Sequence, residues 1–575
     1  MSEANASPTR SASAIARSPN EGRSRNMMKN ALILVFCLCL FSGWIGAQGL
    51  DSALLMKPLS DSWPTYSGDY SGKRYSSLTT INQSNVKNLT LAWVSRLTGG
   101  PGNTGGVQTS VGGVGTSEAA GGVNIKGSIL QVNGILYVSG LDNAWAVDPR
   151  DGHLLWHYFW KTKGGTHTGN RGFGMWKDRL FIETPDDYLI SLDAKTGKEL
   201  WHVEIAEFVL QYFSTPAPIV VGDHVLVGTG NDLDEPGLLQ SFDPETGKRQ
   251  WVWYSVPTKQ GDAGLQTWKN LDAAKHGGGQ IWVPGAYDPE THLYIVGTGN
   301  PSPAYTSQSR GEGDNLFTCS IVAINVDTGK LAWYYQTSPH DTHDWDTTET
   351  PILVDGMFNG KMRKMALHAS RNGYYFTLDR LTGEPLVSNR FSDTANWAKG
   401  LNAKGQPVRD PAKDFDIGGS LVSPGNAGVT NWPPPSFSPD TGLFYVPRYD
   451  SYAMYYLTET DPRGAMGLGG KEEVSLGSLG SHLVAIDYKT GKIAWSHLYP
   501  AAAGTTMSGL LTTAGKLLFA GDNAGNLIAY DAANGNILWH SRIGQVSNAP
   551  ETYMLDGHQY ILVAAGDTLF AFTLY

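Results

Sequence analysis

One pattern governs what this chain can fold into. Seven times an Asp or Asn is followed by a Gly four residues on and a large apolar residue eight on: "DPRDGHLLW", "DAKTGKELW", "DPETGKRQW", "NVDTGKLAW", "DRLTGEPLV", "DYKTGKIAW" and "DAANGNILW". The anchors are Asp148/Trp156, Asp193/Trp201, Asp243/Trp251, Asn325/Trp333, Asp379/Val387, Asp487/Trp495 and Asp531/Trp539. In each copy an apolar run ends at the acid or amide, which caps a turn. The Gly supplies a positive φ, and the chain returns as an alternating strand such as "KELWHVE". The unit is a hairpin with a flat wedge at a fixed place. One such sheet cannot bury both faces, whereas a ring of them can.

An eighth returning strand, "NLTLAWVSRL" with Trp93, lacks the Asp–Gly turn, and "TLFAFTLY" is expected to close the ring beside the first blade. The predicted fold is therefore all-β: a single eight-bladed β-propeller with tryptophan-docking motifs over residues 48–575. No Pro/Ser-rich linker favours the alternative of several separate β-domains. The gaps Trp251–Trp333 and Val387–Trp495 are the longest, and hold more chain than a blade needs. Such excursions usually carry function.

Residues 1–47 read as an N-terminal extension and signal peptide. Five basic residues precede the apolar run "ALILVFCLCLF", and "SGWIGAQG" offers a cut after Ala47. The run is about half the roughly 20 residues of a membrane span, so the expectation is a cleaved signal, a periplasmic protein and no stable membrane insertion. Cleavage removes Cys37 and Cys39, leaving only Cys319 and no internal disulfide. No C-x-x-C-H occurs, so no c-type haem is attached. The formal charge of −10 becomes −13 without residues 1–29, which hold five basic residues against two acids. That balance argues against nucleic acid and suits a basic soluble partner.

The excursions gather unusual chemistry. "GGGQIWVPGAYDPETHLYIVGTGNPSP" places Trp282 after three glycines and Asn300 after a Gly-rich turn. "GTGNDLDEPG" concentrates Asp232, Asp234 and Glu235 beside Asn231, a solvated turn or a site for a hard cation such as Ca²⁺. "NRG" and "SRNG" put Arg171 and Arg371 directly before turns, as surface arginines or as carboxylate clamps. "SPHDTHDWD" holds His340, His343, Asp341, Asp344 and Asp346. It can be read as a solvated loop, a zinc cluster or a catalytic carboxylate.

The docking repeat together with these segments resembles the pyrroloquinoline quinone (PQQ) dehydrogenases of the methanol/ethanol dehydrogenase branch, over roughly residues 60–575. The resemblance implies PQQ- and Ca²⁺-dependent oxidation of alcohols to aldehydes, with electrons passed to a separate soluble cytochrome c. It implies Trp282 as the floor under the quinone, with Arg171, Thr215, Thr229, Arg371 and Asn431 around the cofactor. Asp232 stands where the family usually has a Glu metal ligand (Asp234 is the fallback), and Asn300 is the second ligand. Asp346 becomes the catalytic base, with Asp344 the runner-up, and Arg371 stabilises the oxyanion. Thr348 stands where the lanthanide-using branch carries an extra Asp, which points to calcium. Three places depart from the family. Gly165 and Thr166 replace its adjacent cysteines, Lys126 lies near its cofactor-touching Glu, and Met507 occupies its roof Trp. The alternative function is a non-catalytic propeller scaffold of the outer-membrane assembly type.

Overall fold

The computed structural model describes residues 49–100, 123–165, 167, 169–458, 471–500 and 508–575. The N-terminal extension, Thr166 and Met507 lie outside them. Contacts divide the chain into Met1–Gln48 and Gly49–Tyr575; every element described belongs to the second unit.

The repeat folds as hairpins. In all seven copies the Gly amide donates to the carbonyl of the Asp or Asn four residues earlier, at 2.8–2.9 Å, and the glycines have φ between +66° and +79°. The capping carboxylate accepts from the turn amides, as where Asp193 Oδ1 takes Thr196 N at 2.8 Å. The pairing slips by one residue just before each wedge position, for example between Glu199 and Trp201. Such a bulge re-aims the side chain that follows it.

Among the described residues these hairpins build eight sheets of four or more strands. The first seven span residues 130–159, 174–204, 219–254, 286–336, 352–390, 420–498 and 511–542, and Tyr75–Ser76 joins the seventh in parallel with Leu511–Thr513. In the eighth, Thr90–Arg96 pairs antiparallel with Thr568–Thr573, so the expected closing strand lies directly against the N-terminal one. Inner strands such as Asn143–Val147 are buried throughout. Fourth strands such as Glu199–Glu204 alternate between half-buried and exposed positions. That division is expected of sheets covered on both faces at one edge and open to water at the other.

Each wedge packs on the turn of the next sheet. A Cβ added to Gly152, Gly197, Gly247, Gly329, Gly383 or Gly535 would meet Trp93, Trp156, Trp201, Trp251, Trp333 or Trp495 respectively, within 2.5–2.9 Å. At Gly491 the contact is Val387 instead, at 3.0 Å. The series returns to its start where Trp539 Nε1 donates to Leu89 O at 3.1 Å. A buried arginine reinforces that seam. Arg74 bonds to the carbonyls of Leu510, Tyr66 and Pro550, lies 3.7 Å from Glu551 and stacks on Trp63.

The docking turns join third to fourth strands. The segments rich in candidate site residues either precede first strands or join second to third strands. In an up-and-down sheet those positions lie at the opposite end from the docking turns. Antiparallel pairing thus sends the unusual residues to one end and the repeated residues to the other.

Candidate active site

Asp346 is the most connected of the candidate residues. It follows the fourth sheet's last strand, Leu331–Gln336, and the Thr347 amide donates to Thr298 O at 3.0 Å. That contact explains the glycines of "GTGN". A Cβ on Gly297 would sit 1.3 Å from Thr347 O, and one on Gly299 would sit 3.0 Å from Asp346 Oδ1. The buried carboxylate accepts at Oδ2 from Trp282 Nε1 (3.0 Å) and Arg371 Nη1 (2.8 Å), and at Oδ1 from the Asn300 amide (2.6 Å). Burial pushes its pKa up to about 7; Arg371 works against that rise, while Asp344 and Asp232 add to it.

Arg371 stands in the turn between Lys361–Ala369 and Tyr374–Asp379. Its Nη2 donates to Asn426 O at 2.8 Å, and its buried Nε has no hydrogen-bond partner. Burial pulls its pKa down, but Asp346, Asp344 and Glu349 outweigh that and leave it raised. Asp344 has φ +65° and lies at the rim of this pair. It accepts from Asn426 Nδ2 (2.9 Å) and Tyr305 OH (3.3 Å), and stands 3.9 Å from Arg371 Nη2. The two histidines of the same segment turn elsewhere. His340 Nδ1 is 2.7 Å from Gly313 O and His343 Nε2 is 2.7 Å from Lys413 O, while the His343 ring stacks on Trp345 with centroids 4.3 Å apart. This arrangement leaves no shared zinc geometry.

The remaining candidates surround Trp282. The Arg171 guanidinium lies between the Trp282 ring at 4.7 Å and the Trp432 ring at 4.9 Å, and its Nη1 donates to Thr215 O at 3.1 Å. Thr215 Oγ1 donates to Trp282 O at 3.3 Å. Thr229 ends the strand His224–Thr229, and its buried Oγ1 has no partner. Asn431 is committed to backbone: Nδ2 donates to Ala427 O (3.0 Å) and Oδ1 accepts from Trp432 N (2.8 Å). Asp232 is hydrogen-bonded to His167 Nε2 and accepts from Gln280 Nε2 at 2.5 Å. Asp234, the fallback ligand, offers His276 its backbone carbonyl. At Gly165, where the family has a cysteine, a Cβ would lie 2.5 Å from Pro185 O, so the local backbone excludes a side chain there.

Several participants carry no mark in the sequence: Gln280, His167, Trp432, Asn426 and Glu183. Glu183 is fully buried, bonds Ser214 Oγ through Oε2 and leaves Oε1 without a partner. Burial raises its pKa well above the ordinary range. A lone amide or acid in a strand or a Gly-rich loop has no spacing signature, and these contacts join residues far apart in the chain.

Comparison with known proteins shows the family. A family model described as glucose/ethanol/alcohol dehydrogenase, beta-propeller domain, of the PQQ class matches residues 63–410. A quinohemoprotein alcohol dehydrogenase from Comamonas testosteroni is 36% identical over 550 residues, covering 88% of this chain and 72% of its own. The chain belongs to the PQQ-dependent alcohol dehydrogenase family. A quinoprotein alcohol dehydrogenase from Pseudomonas putida is 31% identical, covering 93% of this chain and 91% of its own. The crystal structure of the Comamonas testosteroni enzyme superposes with a TM-score of 0.80 at 32% identity, covering 91% of this chain and 82% of that one. A europium-containing methanol dehydrogenase gives 0.78 at 28%, covering 91% and 99%. Residues 468–574 also match a model described as outer membrane protein assembly factor BamB. That stretch contains docking repeats but none of the residues around Asp346. The propeller-type, all-β architecture of the family is thus the architecture of this chain.

Proposed function

We propose that the eight sheets are the eight blades of one propeller, and that this is a periplasmic dehydrogenase which oxidises alcohols to aldehydes with PQQ and Ca²⁺. The observation that carries this reading is Asp346: a buried carboxylate poised near neutrality, fixed by Trp282, Arg371 and the Asn300 amide. The surrounding residues fit the cofactor. Unpartnered buried polar atoms on Thr229 and Arg371, a guanidinium and a flat indole suit a planar polycarboxylate. Asp232 and Asn300 supply hard oxygen donors for Ca²⁺. When bound, PQQ supplies the hydride acceptor and Ca²⁺ the Lewis acid that polarises it.

The chain's own residues do the rest. Asp346 takes the alcohol's hydroxyl proton on a carboxylate oxygen. Desolvation keeps that oxygen basic, and Arg371 keeps it ionised enough to act. The Arg371 guanidinium also faces negative charge developing at the oxygen, in a site from which water is excluded. Trp282 fixes one carboxylate oxygen through its N–H and supports a planar ligand with its face. The electron acceptor in this reading is a separate soluble cytochrome c, a basic partner that the acidic balance of the sequence suits.

Reconstitution with PQQ and Ca²⁺ should give quinone absorbance and dye reduction by primary alcohols. No quinone binding would overturn this function and favour the protein-binding scaffold, the reading that the BamB-like stretch supports. Activity only with La³⁺ would overturn the calcium assignment drawn from Thr348.

A further inference from the structure

Gln280 is fixed at both ends and incomplete in the middle. Its backbone is locked opposite the Gly-rich turn: Gly299 N donates to Gln280 O at 2.7 Å, and Gly279 N donates to Asn300 O at 2.9 Å. Its side-chain Nε2 donates to Asp232 Oδ1 at 2.5 Å and to Asn231 O at 3.2 Å. Both amide hydrogens face acceptors, so the opposite flip would set the amide oxygen against a carboxylate and a carbonyl. The orientation is thereby determined, and Oε1 must point the other way.

There it meets no donor. Oε1 is buried without a hydrogen-bond partner. It lies 2.2 Å from the point where a Cβ on Gly299 would sit, and Asp346 Oδ1 lies 3.0 Å from that same point. The missing side chain of Gly299 lets an amide oxygen approach its backbone closely, on the side where a carboxylate oxygen also lies. The adjacent Asn300 spends Nδ2 on Pro301 O at 2.9 Å, so Oδ1 is its available end. Asp346 Oδ1 takes the Asn300 amide, whereas Gln280 Oε1 has no donor; a buried acceptor of this kind is costly unless a donor or a cation meets it.

We propose that Gln280 Oε1 is a direct ligand of the Ca²⁺ held by Asp232 and Asn300, an inference that rests on the PQQ- and Ca²⁺-dependent reading of the site. Ca²⁺ takes about six to eight oxygens at roughly 2.3–2.6 Å. Asp232 is one methylene shorter than the Glu the family usually has, and both of its oxygens already accept hydrogen bonds, from His167 and Gln280. It therefore offers fewer free lone pairs. A neutral amide oxygen restores coordination number without adding charge. The same side chain, through Nε2, orients the carboxylate it complements.

Two readouts test this on the full chain with PQQ: calorimetric titration of Ca²⁺ into metal-free protein, and luminescence lifetimes of bound Tb³⁺ in H₂O and D₂O, which count metal-bound waters. Gln280→Leu should weaken Ca²⁺ binding about 10- to 100-fold and add about one water to the bound Tb³⁺. Gln280→Glu keeps the oxygen and loses the N–H₂. It should bind Ca²⁺ at least as tightly as the wild type, with no added water, and it carries the test if the Leu variant does not fold. An unchanged water count in Gln280→Leu would overturn the ligand role. So would a Gln280→Glu variant as weak as the Leu variant, because then only the N–H₂ contact to Asp232 matters. A wild-type chain that binds no Ca²⁺ would overturn this inference and the calcium-dependent reading together.

Discussion

Two buried arginine–carboxylate pairs invite comparison: Arg74–Glu551 at the ring's seam and Arg371–Asp346 at the site. Burial pushes both carboxyl groups up to about 7, and in both the facing arginine works against it. The difference lies in what else each group touches. Arg74 uses Nε, Nη1 and Nη2 on three carbonyls. Glu551 is satisfied by Ser128 Oγ at 2.5 Å and the Ile129 amide at 3.0 Å. Arg371 keeps a buried Nε without a partner, and three donors from three separate segments converge on Asp346. Burial lowers the pKa of Arg74, whereas Arg371, faced by several acids, ends raised. A saturated pair is a fastening; a pair with unused hydrogen-bonding capacity is prepared to meet something else.

The sharpest way to break this contrast is to neutralise each carboxylate. Asp346→Asn should cut kcat about 10²- to 10⁴-fold while quinone absorbance of the reconstituted protein persists; undiminished turnover would unseat Asp346 as the base. At the seam, Arg74→Met should leave turnover per folded molecule unchanged and lower stability by about 3–5 kcal/mol, read from denaturant unfolding at pH 8. At pH 5 the loss should shrink, because Glu551 is then protonated and no longer an unpaired buried charge. Equal losses at both pH values would contradict the pairing.

A smaller effect separates the pairs by titration. Asp346 acts only when ionised; burial raises its pKa to about 7 in the metal-free chain, a bound Ca²⁺ lowers it from there, and the resulting pKa sets the pH at which ionisation occurs. The value of kcat/KM should therefore rise with pH through that pKa and level off above it. Arg371→Gln removes the charge that holds the carboxylate down, so the midpoint should move up by about one unit or more. A pH profile that stays in place would disconnect the pair from the chemistry. The smallest effect concerns the repeat. Gly247→Ala combines φ +70° with a Cβ 2.9 Å from Trp201, whereas Gly360→Ala at φ +76° meets nothing within 4 Å. The first should cost about 1–3 kcal/mol more than the second by thermal unfolding.

The repeated end of the molecule was legible because each turn is a local event: an Asp cap, a Gly with positive φ and a wedge all fall within one short hairpin. The exception at Val387 was legible too, and the structure keeps its contact with Gly491. The long hairpin of Leu443–Leu457 and Lys471–Asp487 had no such mark. At the site, residues in runs were found: Asp346 beside Trp345, Asn300 after a Gly-rich turn, the arginines before theirs. Gln280 and His167 were not, because they acquire meaning only through Asp232, 48 and 65 residues away in sequence.

The pairing of Thr90 with Thr573 also has a kinetic side. Six sheets are built wholly from neighbouring stretches of chain and can form as each is made, and the seventh adds to its own four strands only the short Tyr75–Ser76. The eighth must wait for its partner strand, and its loop closure spans nearly the whole protein. Until then the exposed edge of Thr90–Arg96, with half-exposed Leu91 and Val94, is open to pairing with another chain. The step most sensitive to crowding or chaperones should therefore be the last one, when the circle closes.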